Sequence, residues 1–135
     1  MKSQKQKVFD KEKGDCFRAC LASILEIKNN DAFYKIKSDC GWLISCIKVL
    51  EKMGLALGWH DKAIWRSGYW IASVPSLNFN NTTHAIVMKG HKVEFDPSTH
   101  KKYKKGRNLL GEEIVSFGYW IEASDFSKLK KYLLQ

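Results

Sequence analysis

Apolar residues recur every three to four positions over residues 16–25, which is the period of a helix. Cys16, Cys20 and Ile24 fall on one line, and Phe17, Leu21 and Leu25 on the next. Arg18 and Glu26 lie on the other side. Gly14-Asp15 supplies a turn and an N-cap, so Cys16 is expected in the first turn of a largely buried helix. A second helix is predicted over residues 41–53. Leu43, Cys46, Ile47, Leu50 and Met53 would face inward, and Ser45, Lys48, Glu51 and Lys52 outward. Gly54 is its C-terminal stop. Between the two, residues 31–37 offer a short helix.

Further along, strand signals take over. Residues 69–74 read as a strand ended by Pro75, and residues 77–83 as a polar loop. Residues 84–88 and 92–96 read as two strands joined around Gly90, followed by a turn at Asp96-Pro97-Ser98. Residues 100–108 form a basic loop, and residues 114–123 hold a strand interrupted at Gly118. Tyr69-Trp70 and Tyr119-Trp120 would each send one ring to either face of the sheet. A last helix starts near Ser124 and uses Phe126, Leu129 and Leu133. Helices first and an antiparallel sheet after them make the class α+β.

The 135 residues suit one domain, residues 1–135, with residues 1–13 an extended N-terminal segment; no repeat or linker divides it. Hydrophobic residues at 44% and charged residues at 27% fit a globular chain that folds without a disulfide scaffold. No apolar run nears the ~18 residues of a membrane span, so no membrane association is expected. The Lys- and Gln-rich start lacks the apolar stretch of a signal peptide, which points to the cytoplasm, where thiols stay reduced. Four cysteines are too few for a disulfide framework. Their C-x3-C and C-x5-C spacings lack a zinc knuckle, so no metal or other cofactor is expected. Neither a phosphate-binding G-x-x-x-x-G-K-[ST] nor a dinucleotide-binding G-x-G-x-x-G occurs.

Three residues carry candidate chemistry. Cys16 at a helix N-terminus meets unpaired N–H groups and the positive end of the helix dipole, which favour a thiolate. The same N–H groups can hold an oxyanion. His84 opens a strand on a rigid frame with access to solvent, as a general base requires. Asp96 closes the next strand. An odd hairpin loop sets His84 directly opposite Asp96, with Cβ atoms about 4.5–5.5 Å apart. An even loop, such as Gly90-His91 alone, sends Asp96 to the other face. The chemistry therefore demands the odd loop or a bulge.

Gly14-Asp15-Cys16-Phe17-Arg18-Ala19-Cys20-Leu21, with Thr83-His84-Ala85-Ile86-Val87 and Val93-Glu94-Phe95-Asp96-Pro97 downstream, resembles the papain-like cysteine peptidases. The likeness runs from Gln6 to about Pro97 and is nearest the C39-like, bacteriocin-processing branch and its short bacterial and phage members. It implies a papain-like fold with the cysteine helix packed on an antiparallel sheet. It implies Cys16 as nucleophile, His84 as base and then acid, and Asp96 as orienter. It also implies an oxyanion hole made by the Cys16 N–H and an upstream glutamine, here Gln6 with Gln4 behind it. Gln6 stands ten residues before Cys16, where family members keep about six. Trp42, Ser73 and Thr83 are expected to contact the substrate.

The expected activity is hydrolysis of a peptide, isopeptide or related amide bond through an acyl-thioester. An entering amine would make the same triad an acyltransferase or a transglutaminase-like enzyme. The bland readings are a buried cysteine, a structural histidine and a turn-forming aspartate. Net charge is +9, and His100 to Arg107 packs five basic residues around Tyr103. Lys101, Lys102, Lys104 and Lys105 could therefore meet an acidic partner, the basis of a rival reading as a non-catalytic binding protein. Specific nucleic-acid recognition, with Tyr103 stacking on a base, is the lesser alternative.

Overall fold

Seven of the nine residues of helix α1 (Cys16–Ile24) are buried, so the helix is covered on nearly all sides. Small residues make this possible. Ala19, Cys20, Ala22 and Ser23 let neighbouring elements come close, and the buried Ser23 hydroxyl donates to the Ala19 carbonyl at 2.7 Å. In this computed structural model the described residues are 1, 16–26, 42–63, 68–75, 83–98, 103–109 and 115–123. The expected helices at 31–37 and near Ser124 lie outside them, as do Gly14-Asp15 and the polar loop at 77–82.

Helix α2 (Trp42–Lys52) presents Cys46, Val49 and Leu50 to the core and Lys48, Glu51 and Lys52 to solvent. It ends as expected at Gly54, whose φ of 74° lies in the left-handed region. Strand β1 (Leu55–His60) follows at once, where the sequence reading had none. Four more strands follow: β2 (Tyr69–Pro75), β3 (Thr83–Lys89), β4 (Lys92–Phe95) and β5 (Phe117–Ala123). All pairs are antiparallel, and the spatial order is β1-β5-β2-β3-β4. The described residues are thus α+β, a five-stranded sheet with two helices. No described helix is long and apolar enough to cross a membrane.

The sheet separates two cores. On the helix face, Leu55, Ile71, Ala85, Val87 and Ile121 meet Phe17, Cys20, Leu21, Ile24, Cys46 and Leu50. On the other face Trp70, Ala72, Val74, Ile86, Met88 and Val93 are covered by Tyr103, Leu109 and Val115. Both faces of β2 and β3 are therefore buried, which explains their nearly unbroken apolar runs.

Two expectations are corrected here. Strand β5 runs through Gly118 without a break, because Gly118 pairs with His60 on one side and Ala72 on the other. The basic stretch is only partly a solvated loop. Over its described residues, 103–108, the backbone follows the outer edge of β4: the Val93 N–H donates to the Arg107 carbonyl at 2.9 Å, the Gly106 N–H donates to the Val93 carbonyl at 2.8 Å, and Lys92 pairs with Asn108. Tyr103 is buried beneath it and donates its hydroxyl to the Pro75 carbonyl at 3.1 Å. A ring held in this way cannot stack on a nucleic-acid base.

Candidate active site

The β3–β4 hairpin decides whether a histidine and a carboxylate meet. Lys89 pairs with Lys92, leaving the two-residue turn Gly90-His91. Gly90 sits at φ 60°, a conformation that suits a residue without a Cβ. An unbroken hairpin of this kind would set His84 opposite Pro97 and turn Asp96 to the wrong face. The ladder shifts, however. Met88 pairs with Val93, but Val87 pairs with Phe95, so Glu94 is an extra residue in β4. This bulge restores the parity, and Asp96 shares a face with His84.

The odd loop and direct opposition expected as one route are not what the fold uses. Continuing the shifted register sets Asp96 opposite Ile86, diagonal to His84. Diagonal neighbours stand about 7–8 Å apart at the backbone, within reach of long polar side chains. Here His84 Nε2 and Asp96 Oδ1 lie 2.6 Å apart, and both side chains are more than nine-tenths buried. The Ser98 N–H donates to the same Oδ1 at 2.8 Å and fixes the carboxylate. Among the described residues Asp96 Oδ2 is buried with no hydrogen-bond partner, so the carboxylate is compensated through Oδ1, by the imidazole and the Ser98 N–H.

Cys16 is the first residue of α1 and carries a half-buried free thiol. It lies close enough to the His84 imidazole to help raise that group's titration. With Nε2 taken by Asp96, Nδ1 is the nitrogen left for the thiol. The two residues approach from different sides of the sheet. Ala85 and Val87 face α1, whereas His84 follows the alternation of Ile86 and Met88. His84 stands near the end of β3, where a ring on one face can meet a helix terminus on the other.

The protonation of His84 reflects this setting. Burial is the largest influence and disfavours the charge. The hydrogen bonds to Asp96 and Cys16, and then the charges of both, outweigh it and push the imidazole up from 6.5 to about 9. Cys46 shows the opposite environment. Burial pushes its thiol up to about 12 against the charge and hydrogen bond of Arg18. Tyr103 is also held above the ordinary phenol range, by burial first, with Arg107 opposing and the Asp96 carboxylate adding.

The remaining expected site residues fall variously. Thr83 opens β3, exposed beside His84, and pairs with Pro75. Ser73 is buried on the helix face of β2, paired with Ala85. Trp42 opens α2, and its side chain lies outside the described part. Gln4, Gln6, Lys101 and Lys102 lie outside the described residues. Lys104 and Lys105 are exposed, and Lys105 pairs with Glu94 at 3.7 Å. Among the described residues no group of three or more His, Cys, Asp or Glu could hold a metal ion.

The sequence reading missed two exposed aromatics, Trp59 at 60% and Phe117 at 38% exposure. The signal for the first was present. Leu55, Leu57 and Trp59 alternate with Ala56, Gly58 and His60, the period of a strand. In comparisons with known proteins, no family model and no curated protein matches the chain.

Proposed function

We propose that the protein is a papain-like cysteine hydrolase that cleaves an amide bond, in a peptide or an isopeptide, through an acyl-thioester on Cys16. The observation that carries this reading is the buried His84–Asp96 pair, 2.6 Å apart, beside the half-buried thiol of Cys16, the first residue of a helix.

In this reading the Cys16 thiolate attacks the substrate carbonyl carbon. The carbon–sulfur bond forms as the carbonyl π electrons move to oxygen. The oxyanion faces the Cys16 backbone N–H, which as the first helical N–H has no intrahelical partner. Gln6 is the proposed second donor. The intermediate collapses, the carbon–nitrogen bond breaks, and the His84 imidazolium gives its proton to the leaving amine. Water then attacks the thioester while His84 takes its proton. Collapse of the second intermediate returns the thiolate and releases the acid. Asp96 keeps the ring oriented and favours the imidazolium throughout. Were an amine to enter instead of water, the same steps would transfer the acyl group.

The test is the rate of iodoacetamide alkylation at Cys16, read by peptide mapping across pH in the parent and in His84→Ala. An ordinary thiol titrates near 8.5 and is nearly inert at pH 6. The parent is expected to label at pH 6 at least about tenfold faster than His84→Ala, because only the parent has a base at hand to take the thiol's proton. Equal rates in the two proteins at pH 6 would overturn the proposal.

A further inference from the structure

Strand β1 forms one edge of the sheet and β4 the other, and the two edges are built differently. Along β4 the described segment 103–108 supplies hydrogen bonds, among them Val93 N–H to the Arg107 carbonyl at 2.9 Å. The β4 ladder carries a bulge, and Lys89, Lys92, Lys104, Lys105 and Arg107 are exposed around it. A covering segment, a bulge and lysines are ordinary means of keeping an edge strand from pairing with another chain. Strand β1 has none of them among the described residues. It pairs with β5 over Leu55–His60 without a register shift, and no described strand lies on its other side. Leu55 to Trp59 include no charge and no proline. Trp59 is 60% exposed, and its ring lies beside Phe117 with centroids 6.3 Å apart.

A smooth, uncharged edge with a large exposed ring suits a further strand. Symmetry indicates which one. A two-fold axis perpendicular to the sheet sets one residue opposite its own copy, so odd-numbered residues meet odd-numbered residues. Leu55, Leu57 and Trp59 share one face of β1. With the axis at Gly58, each Trp59 opposes Leu57 of the second copy; with the axis at Leu57, it opposes Leu55. Either register covers both tryptophans with leucines, and neither sets like charges opposite each other within the strand.

The net charge of +9 would resist association if it were spread evenly, but it is not. The five exposed cations named above flank β4, four strand spacings or about 19 Å from β1. Next to β1 in sequence the signs cancel: Glu51 and Lys52 precede it, and Asp61 and Lys62 follow it. In two sheets joined through β1 the cationic edges stand about 43 Å apart, several Debye lengths.

We propose that β1 is a self-association edge, through which two copies of this chain join their sheets antiparallel with Trp59 as the anchor on each side. One short strand makes a seam below the standard interface size, so the dimer is reversible, with a dissociation constant in the micromolar range.

The test is sedimentation equilibrium of the full chain from about 1 μM to about 1 mM, in the parent, in Trp59→Lys and in Lys105→Gln. Most of the Trp59 ring lies in solvent, so Trp59→Lys should keep the fold, which near-UV circular dichroism checks. The parent is expected to dimerise within that range, and Lys105→Gln, on the other edge, to match it within about twofold. Trp59→Lys should raise the dissociation constant at least about tenfold, since it removes the anchor and sets a charge against a leucine. Hydrogen exchange of the parent gives a second readout: the amides of residues 55–60 should slow as concentration rises. A parent that stays monomeric to about 1 mM overturns the proposal, and so does a dimer that Trp59→Lys leaves intact. If Trp59→Lys fails to fold, the exchange of the parent decides. Slowing with concentration at residues 55–60 upholds the edge, and slowing elsewhere or nowhere overturns it.

Discussion

Replacing Asp96 by Asn removes the carboxylate charge on His84 while keeping a group of the same shape. In the parent, His84 is raised from 6.5 to about 9, so the native state holds its proton over a range where the unfolded state has lost it. The associated stabilisation is fully present below pH 6.5. It declines as pH rises and is gone above about 9. At about 1.4 kcal/mol per pH unit, the rise amounts to roughly 3 kcal/mol. In Asp96→Asn the strongest contact favouring the charge becomes neutral, while burial still opposes it. The imidazole should then titrate below the parent's midpoint, held up only by Cys16. Two measurements test this. NMR of the His84 ring should give a midpoint near 9 in the parent and a lower one in the variant. Urea unfolding at pH 6 and pH 10 should show the parent losing more stability than the variant over that interval, by up to about 3 kcal/mol. A parent midpoint near 6.5, or the same midpoint in both proteins, would refute the reasoning.

Four further outcomes are expected. Gly58 lies under the Trp120 ring, and a Cβ there would fall 2.2 Å from a ring carbon, so Gly58→Val should destabilise by about 1–3 kcal/mol in urea melts. It should also alter near-UV circular dichroism as the indole is displaced. Tyr103→Phe loses the hydrogen bond to the Pro75 carbonyl and should lower stability by about 1 kcal/mol by urea melts, with Cys16 alkylation retained. Cys46, raised to about 12 by burial, should stay unmodified by a disulfide reagent at pH 9 in the folded protein and react on unfolding, as peptide mapping would show. Lys105→Gln removes only an exposed ion pair with Glu94 and should change stability by less than about 0.5 kcal/mol in thermal melts.

The sequence alone determined most of the described local elements and the candidate residues for chemistry. Helix α1 was legible from the recurrence of Cys16, Cys20 and Ile24, α2 from its amphipathic face and Gly54, and β2, β3 and β4 from apolar runs bounded by turn residues. These signals are short-range and written in periodicity. Cys16, His84 and Asp96 stood out for the same reason, each lying at the boundary of an element. Their meeting was another matter. It turns on the parity of one hairpin, and the composition of residues 89–94 is compatible with either parity. Only the fold decided it, by combining a two-residue turn with a bulge at Glu94, because both faces of β3 are buried and β4 must match them. Tyr103 shows the same division. In sequence it is an aromatic among lysines, and only packing on the second core turned it inward. The ring contacts were equally out of reach. Trp59 and Phe117, and likewise Phe17 and Tyr119, are far apart in the chain and meet only once β1 pairs with β5 and α1 packs on the sheet. Periodicity is a property of neighbours along the chain, whereas a site is a property of neighbours across it.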